Sequence, residues 1–279
     1  MIKNYSTVAW RNLRKNKIYS AINLIGLALG MAVSLLIGLW VWDELTFNHS
    51  FKNHDRLAEI VSMSTENGSS GGGEFASAPV GAELLRRFPD EIKETAVYTG
   101  ANPLLAIGDK KISALGIWAQ KALPVMFSFK MTAGSQSALS DPYAMLISRS
   151  TAKALFGEKD PMDKVVRVGD ETDMRVKGVY EDIAQNTNLD GLGFLLAWDN
   201  KDGPGDSSEY AWSNEHFGVY VQVGDRVDID MLSGRIKDLT KPYIKGRNES
   251  LILHPMDRWR LYNRFENGKM VAGRAQSVR

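Results

Sequence analysis

Residues 18–42 (IYSAINLIGLALGMAVSLLIGLWVW) run for 25 positions without a charged side chain. As a helix the run extends about 37 Å, against a hydrocarbon layer of about 30 Å. Asn23 is its one amide. Tyr19 lies at one end and Trp40 and Trp42 at the other, where amphipathic rings settle at the headgroups. Core helices of soluble proteins rarely keep so long an uncharged run. The sequence predicts a membrane span.

The flanks give the span a direction. Lys3, Arg11, Arg14, Lys15 and Lys17 precede it with no acid among them, and Asp43 and Glu44 follow. Positive charge stays on the cytoplasmic side, so the N-terminus is expected inside and the bulk of the chain outside. A cleaved signal peptide is excluded, since its apolar core would be about 7–15 residues followed by a small-x-small site. Within the span, Gly26, Gly30, Ser34 and Gly38 recur every fourth residue and stack on one helical face. Such stripes let two backbones approach closely in lipid, which predicts a partner helix. Residues 2–16 read as a short interfacial helix, with Ile2, Tyr5, Ala9 and Leu13 on one face.

Beyond the span the chain is close to neutral. Setting aside the five basic residues ahead of it, 29 of the 34 remain against 33 acids. That balance argues against a nucleic-acid partner. With no cysteine, disulfides and thiolate metal sites are ruled out. Some 235 residues can bury one large core or two modest ones.

Apolar periodicity places strands at 57–65, 92–98, 144–148, 219–223 and 250–256. It predicts hairpins around Gly108-Asp109-Lys110 and Gly169-Asp170, with Arg175 and Lys177 projecting opposite Met174, Val176 and Tyr180. A helix is expected near 78–88, opened by Pro79, and another with Ile229, Leu232, Ile236 and Leu239 on one side. Ser150 is expected to cap a short helix that Gly157 ends. The glycine run at 68–73 lacks the Lys-Ser/Thr of a phosphate loop and reads as a flexible connector. Residues 199–209 form a polar Gly/Pro loop. The fold class is α+β: one transmembrane helix, then a two-lobed core. Residues 43–100 and 216–279 make a split strand–helix–strand lobe, and residues 101–215 are an inserted β-rich lobe.

Chemistry is sparse. His49, His54, His216 and His254 are scattered, and His49 and His54 are five apart rather than on one helical turn. Solvated loop residues are the expectation for that pair. There is no Gly-x-Ser-x-Gly elbow. The adjacent Glu181 and Asp182 read as a turn. No catalytic residue, metal ligand or cofactor-binding residue is predicted, and the chain is not expected to be an enzyme.

The blocks AWRNLRKNKIYSAINLIGLALG (9–30), ELTFNHSFKNHDR (44–56), ASAPVGAELLRRFPD (76–90), FSFKMTAG (127–134), ALSDP (138–142) and SRSTAKALFGEKDPMDK (148–164) resemble, in that order, MacB/FtsX-like ABC transporter permeases. VKGVYED (176–182), Asn186 to Leu189 and LHPMDRWRLY (253–262) continue the resemblance to a MacB-like periplasmic core. Members tend to carry Tyr-Arg where this chain has Ala58 and Glu59. They carry glycine in the turn where it has Asp163, a residue that tolerates left-handed backbone. Similar permeases continue into further spans after the core, so the chain is expected to be an N-terminal fragment.

The resemblance implies a bacterial inner-membrane permease that relays ATP hydrolysis to its periplasmic domain in export or mechanotransmission. ATP would be bound by a separate ABC ATPase subunit. A second permease copy, the lipid bilayer and periplasmic cargo or an adaptor protein would be its other partners. The residues alone leave one alternative open: a single-span anchored sensor or adaptor that binds a ligand or protein.

Overall fold

The apolar run folds as one helix, α1 (Lys17–Leu45), of 29 residues that buries none of them. The structure is a computed structural model, and it describes residues 14–66, 69–170, 172–204, 211–244, 249–262, 264–266 and 269–273, together with 5, 10 and 11. Helix α1 runs three residues past the apolar stretch. It stops at Thr46, whose backbone N–H and hydroxyl both donate to the Trp42 carbonyl, at 3.0 and 2.8 Å. Among the described residues it is the one helix long and apolar enough to cross a membrane. Of the predicted 2–16 helix, residues 5, 10, 11, 14 and 15 are helical. Asn16 is a bend between that stretch and α1, and residues 2–4, 6–9, 12 and 13 lie outside the described residues.

Residues 47–279 form a separate compact unit. Its main sheet runs in the order β13 (Glu249–Pro255), β1 (Leu57–Glu66), β12 (Gly218–Val223), β3 (Ile92–Ala101), β6 (Leu115–Ala119), β11 (Leu192–Ala197), β8 (Ala144–Ser148), β10 (Thr172–Tyr180), β9 (Val165–Val168), β4 (Leu104–Ile107) and β5 (Lys110–Ser113). Two further strands join it: β2 (Ser69–Gly73) on β1 and β7 (Met131–Gly134) on β10. A hairpin of β14 (Arg264–Glu266) and β15 (Lys269–Val271) forms its own two-stranded sheet, with β14 beside β2.

The strands sort by chain segment. Those from 57–101 and 218–255 occupy one side of the sheet and those from 104–197 the other. The two sets meet at β3 and β6, antiparallel neighbours paired from Tyr98↔Ala119 to Ala101↔Gly116. Split and inserted segments thus share one continuous ladder.

Alternation along the strands divides the core. Val219, Val221 and Val223 face one way, onto Leu84 of α2 (Pro79–Arg87) and onto Leu232 and Ile236 of α5 (Ile229–Ile236). Tyr220 faces the other way, into a cluster with Phe127 at the end of α3 (Leu123–Met126), Leu146, Tyr180 and Leu195 that spans the β3–β6 seam. A third cluster sets Met145, Ile147, Phe194 and Leu196 against Ala152 and Leu155 of α4 (Arg149–Phe156). Each fully buried aliphatic side chain contributes about 1.5–3 kcal/mol, so these three layers are the main stabilising term.

Three local features differ from the sequence reading. Helix α4 is capped by Ser148, whose Oγ accepts from the Thr151 N–H at 3.2 Å. Ser150 instead sits inside the first turn, where its N–H donates to Asp182. The glycine run is a strand: β12 pairs with β1 only at Leu57–Glu59, and β2 takes up the same edge from Ser62 to Glu66. Strand β11, wholly buried, was not anticipated. The glycine-like turn does survive, with Asp163 at φ 59° and its N–H donating to the Val176 carbonyl at 2.9 Å.

Candidate functional site

On the seam-spanning face of the sheet, five strands (β1, β12, β3, β6 and β11) contribute to the lining of a cavity of about 350 Å³. Glu59 of β1 sits between cross-strand neighbours Tyr220 of β12 and His254 of β13, which share its face. It is 5% exposed. Tyr98 reaches it from β3, and the phenol donates to Glu59 Oε1 at 2.7 Å. The reach across β12 depends on Gly218, which pairs with Tyr98. A Cβ there would stand 2.1 Å from Tyr98 Cε1.

Rings wall the cavity. Tyr98 and Tyr220 stack with centroids 4.5 Å apart, and Trp259 lies 5.5 Å from Tyr220. The Trp259 indole is fixed by donating to the His254 carbonyl at 2.9 Å. Asn188 donates to the Tyr220 hydroxyl at 3.3 Å. Glu74 lies on the exposed rim, and Arg260 rests over the Phe47 ring, 5.0 Å from its centroid.

Burial pushes the Glu59 carboxyl well above the usual carboxylate range, and repulsion from Glu74 adds to the rise; the Tyr98 hydrogen bond opposes both. Burial raises the Tyr98 and Tyr220 phenols as well. His254 is held down to about 4, first by burial and then by Arg258. Among the described residues its buried Nε2 has no hydrogen-bond partner, so the neutral ring suits the site.

A second polar cluster lies on α2. Buried Glu83 accepts from Arg86 at 2.7 Å, Arg87 at 2.5 Å and the Tyr243 hydroxyl at 2.7 Å. Tyr243 stacks on Trp212 at 4.0 Å. These bonds, that from Arg86 foremost, bring the Glu83 carboxyl down to about 2. Three of these bonds fall on Oε1 and one on Oε2, and the cluster fastens α2 to the 240–244 turn.

The histidines expected to be solvated loop residues come together in part. His49 and His54 stack at 4.3 Å, and His54 Nδ1 lies 3.2 Å from Asp257 Oδ1. The ligand atoms of the three lie within 4.8 Å of one another. Rings stacked in parallel aim their nitrogen lone pairs side by side rather than at one point. The set fits an ion pair better than a metal ligand sphere.

The predicted membrane residues all fall at exposed positions. A Cβ built on Gly26, Gly30 or Gly38 would meet nothing within 4 Å, and Ser34 Oγ donates back to the Gly30 carbonyl at 2.9 Å. Arg11, Arg14, Lys15 and Lys17 are exposed, as are Tyr19, Trp40 and Trp42. The stripe is therefore an open face of α1.

Sequence reasoning missed the cavity. Its one signal was Glu59 itself, an acid where the resemblance leads one to expect arginine.

The family model described as MacB-like periplasmic core domain matches residues 20–239. A domain of a protein named as a permease, from Porphyromonas gingivalis, has the same fold with a TM-score of 0.62 at 22% identity, covering 74% of this chain and 91% of that one. The periplasmic region of MacB from Actinobacillus actinomycetemcomitans gives 0.55 at 14% identity, over 75% and 94% of the two chains. The extracellular domain of the noncanonic ABC-type transporter YknZ from Gram-positive bacteria gives 0.50 at 13%, over 71% and 98%. No curated protein matches the chain.

Proposed function

This chain belongs to the family of MacB-like periplasmic core domains, and from that premise we propose that it is the permease part of an ABC transporter, carrying force from a cytoplasmic ATPase to its periplasmic core. The N-terminus with Arg11, Arg14, Lys15 and Lys17 lies in the cytoplasm, the helix crosses the inner membrane, and residues 47–279 are periplasmic. ATP is bound by the separate ATPase and not by this chain. The Gly26–Gly30–Ser34–Gly38 face packs against another helix of the assembly, within the same permease or a second copy. Cargo or an adaptor protein engages the core.

The single observation that carries this reading is the span of the family match. It begins at residue 20, inside the apolar helix, and runs through most of the core. The absence of cysteine makes the topology directly testable, because any introduced thiol is the only one. Arg11→Cys and Asp109→Cys variants, the latter at the exposed β4–β5 tip, are treated in spheroplasts with a membrane-impermeant maleimide. The expected result is labelling of D109C in intact spheroplasts and of R11C only after they are permeabilised. The reverse pattern overturns the topology. Purification of the full chain in mild detergent is expected to bring an ABC ATPase with it, and repeated isolation without one counts against the coupling. Gly30→Leu is expected to weaken helix association in a two-helix reporter.

A further inference from the structure

Among the described residues, the charged side chains lining the cavity are Glu59, Glu74 and Arg260. Two carboxylates therefore face one guanidinium, and the site is short of one positive charge when both acids are ionised. His254, the cross-strand neighbour of Glu59, is neutral near pH 7 and supplies none. The Tyr98 and Tyr220 phenols stay protonated. Without a cation at the site, a proton on Glu59 meets the deficit, and a buried acid faces the cavity.

We propose that the cavity binds a primary ammonium group, with Glu59 as its anchoring carboxylate, Glu74 at the rim and the Tyr98, Tyr220 and Trp259 rings around the attached methylene chain. Every part suits that chemistry. An ammonium group donates hydrogen bonds to carboxylate oxygens, and cations are drawn to aromatic rings, most strongly where water is excluded. The cavity, about 350 Å³, lies at the small end of the range for ligand sites, about 300–1,000 Å³. An anion would meet Glu59 and Glu74, and a neutral alcohol would leave the charge deficit to the proton. Binding exchanges one cation for another: the ammonium enters and the Glu59 proton leaves to solvent. Affinity therefore rises with pH until Glu59 is ionised without help.

The full chain in detergent micelles is titrated calorimetrically with n-butylamine, 1,5-diaminopentane, Nα-acetyl-lysine amide and, as neutral control, n-butanol. The diamine and the lysine derivative separate a free amine from a lysyl side chain as the source of the ammonium. Saturable binding of at least one amine, tighter than butanol by about tenfold or more, is expected. Buffers of different ionisation enthalpy should report release of about one proton per amine bound, as one-site exchange requires. Glu59→Gln should weaken binding about tenfold or more and abolish proton release. Glu74→Gln, at the exposed rim, should weaken it only a few-fold. Tyr98→Phe removes the bond that favours ionised Glu59, so it should move the midpoint of the pH dependence upward, a readout that survives if E59Q fails to fold. Amines binding no better than butanol would overturn the proposal, as would E59Q binding them as tightly as the parent or a Tyr98→Phe midpoint that stays put.

Discussion

The Tyr98 hydroxyl donates to Glu59 Oε1 across 2.7 Å although β12 lies between their strands. Glycine at position 218 leaves the space through which the Tyr98 ring crosses that middle strand. Among the described residues the bond is what favours the ionised form of an acid that burial and Glu74 both push toward its neutral form.

Glu59 sets a pH dependence of definite sign. Its folded pKa lies above the unfolded value, so between the two the folded state holds a proton that the unfolded chain has lost. Stability then falls as pH rises from about 4.3, the unfolded carboxylate value, toward the raised folded one. Glu59→Gln removes this term. In thermal unfolding followed by near-UV circular dichroism, E59Q should match the parent near pH 4 and melt measurably higher than the parent at pH 8.

His254 acts in the opposite direction. Its folded pKa of about 4 lies below the ordinary value of 6.5, so across that window the unfolded chain takes up a proton that the folded state refuses. Stability falls as pH drops from 6.5 to 4, by up to about 3 kcal/mol. His254→Leu, of similar volume and without the orphaned Nε2, should flatten this limb of the pH–stability curve. A limb unchanged in H254L would assign the acid sensitivity elsewhere.

Glu83 is a carboxylate held ionised. Its pKa is lowered from 4.5 to about 2, so its contribution is fully present above pH 4.5 and is lost as pH falls toward 2. Arg86 is largely exposed, and solvent screening reduces what the pair contributes. Glu83→Gln should cost on the order of 1 kcal/mol at pH 7 and nothing near pH 2. Urea denaturation at the two pH values makes the comparison.

At Asp163 the test concerns backbone. With φ at 59°, the residue occupies a region that β-branched side chains avoid. Asp163→Gly should hold the melting temperature within about 2 °C, whereas Asp163→Val should lower it by about 2–4 °C or more. Lys177, whose Nζ lies 2.6 Å from Asp163 Oδ1, loses an exposed partner in both variants, so the difference between them isolates the conformational term.

Elements with a strong period were legible in the sequence. Strand β10 alternates buried Met174 and Val176 with exposed Asp173 and Arg175, and α2 opens at Pro79 as expected. Strand β11 was not legible because all six of its residues are buried, between β6 and β8, so no polar face marks its period. The glycines of β2 carry no β pattern, and their pairing is dictated by an edge of β1 that β12 leaves open. For α4, two serines stood two apart, and only backbone conformation decides which one caps. The cavity escaped for a different reason. Residues 59, 98, 220 and 259 are adjacent only because the sheet orders β1, β12 and β3 side by side. That adjacency is a property of topology, absent from any local stretch.

The β3–β6 join has a mechanical consequence. Four consecutive residue pairs, Tyr98 to Ala101 against Ala119 to Gly116, stitch chain segments that would otherwise have been free to swing on a hinge. A displacement imposed at one border of the sheet is expected to cross that join through paired backbone rather than through a flexible linker.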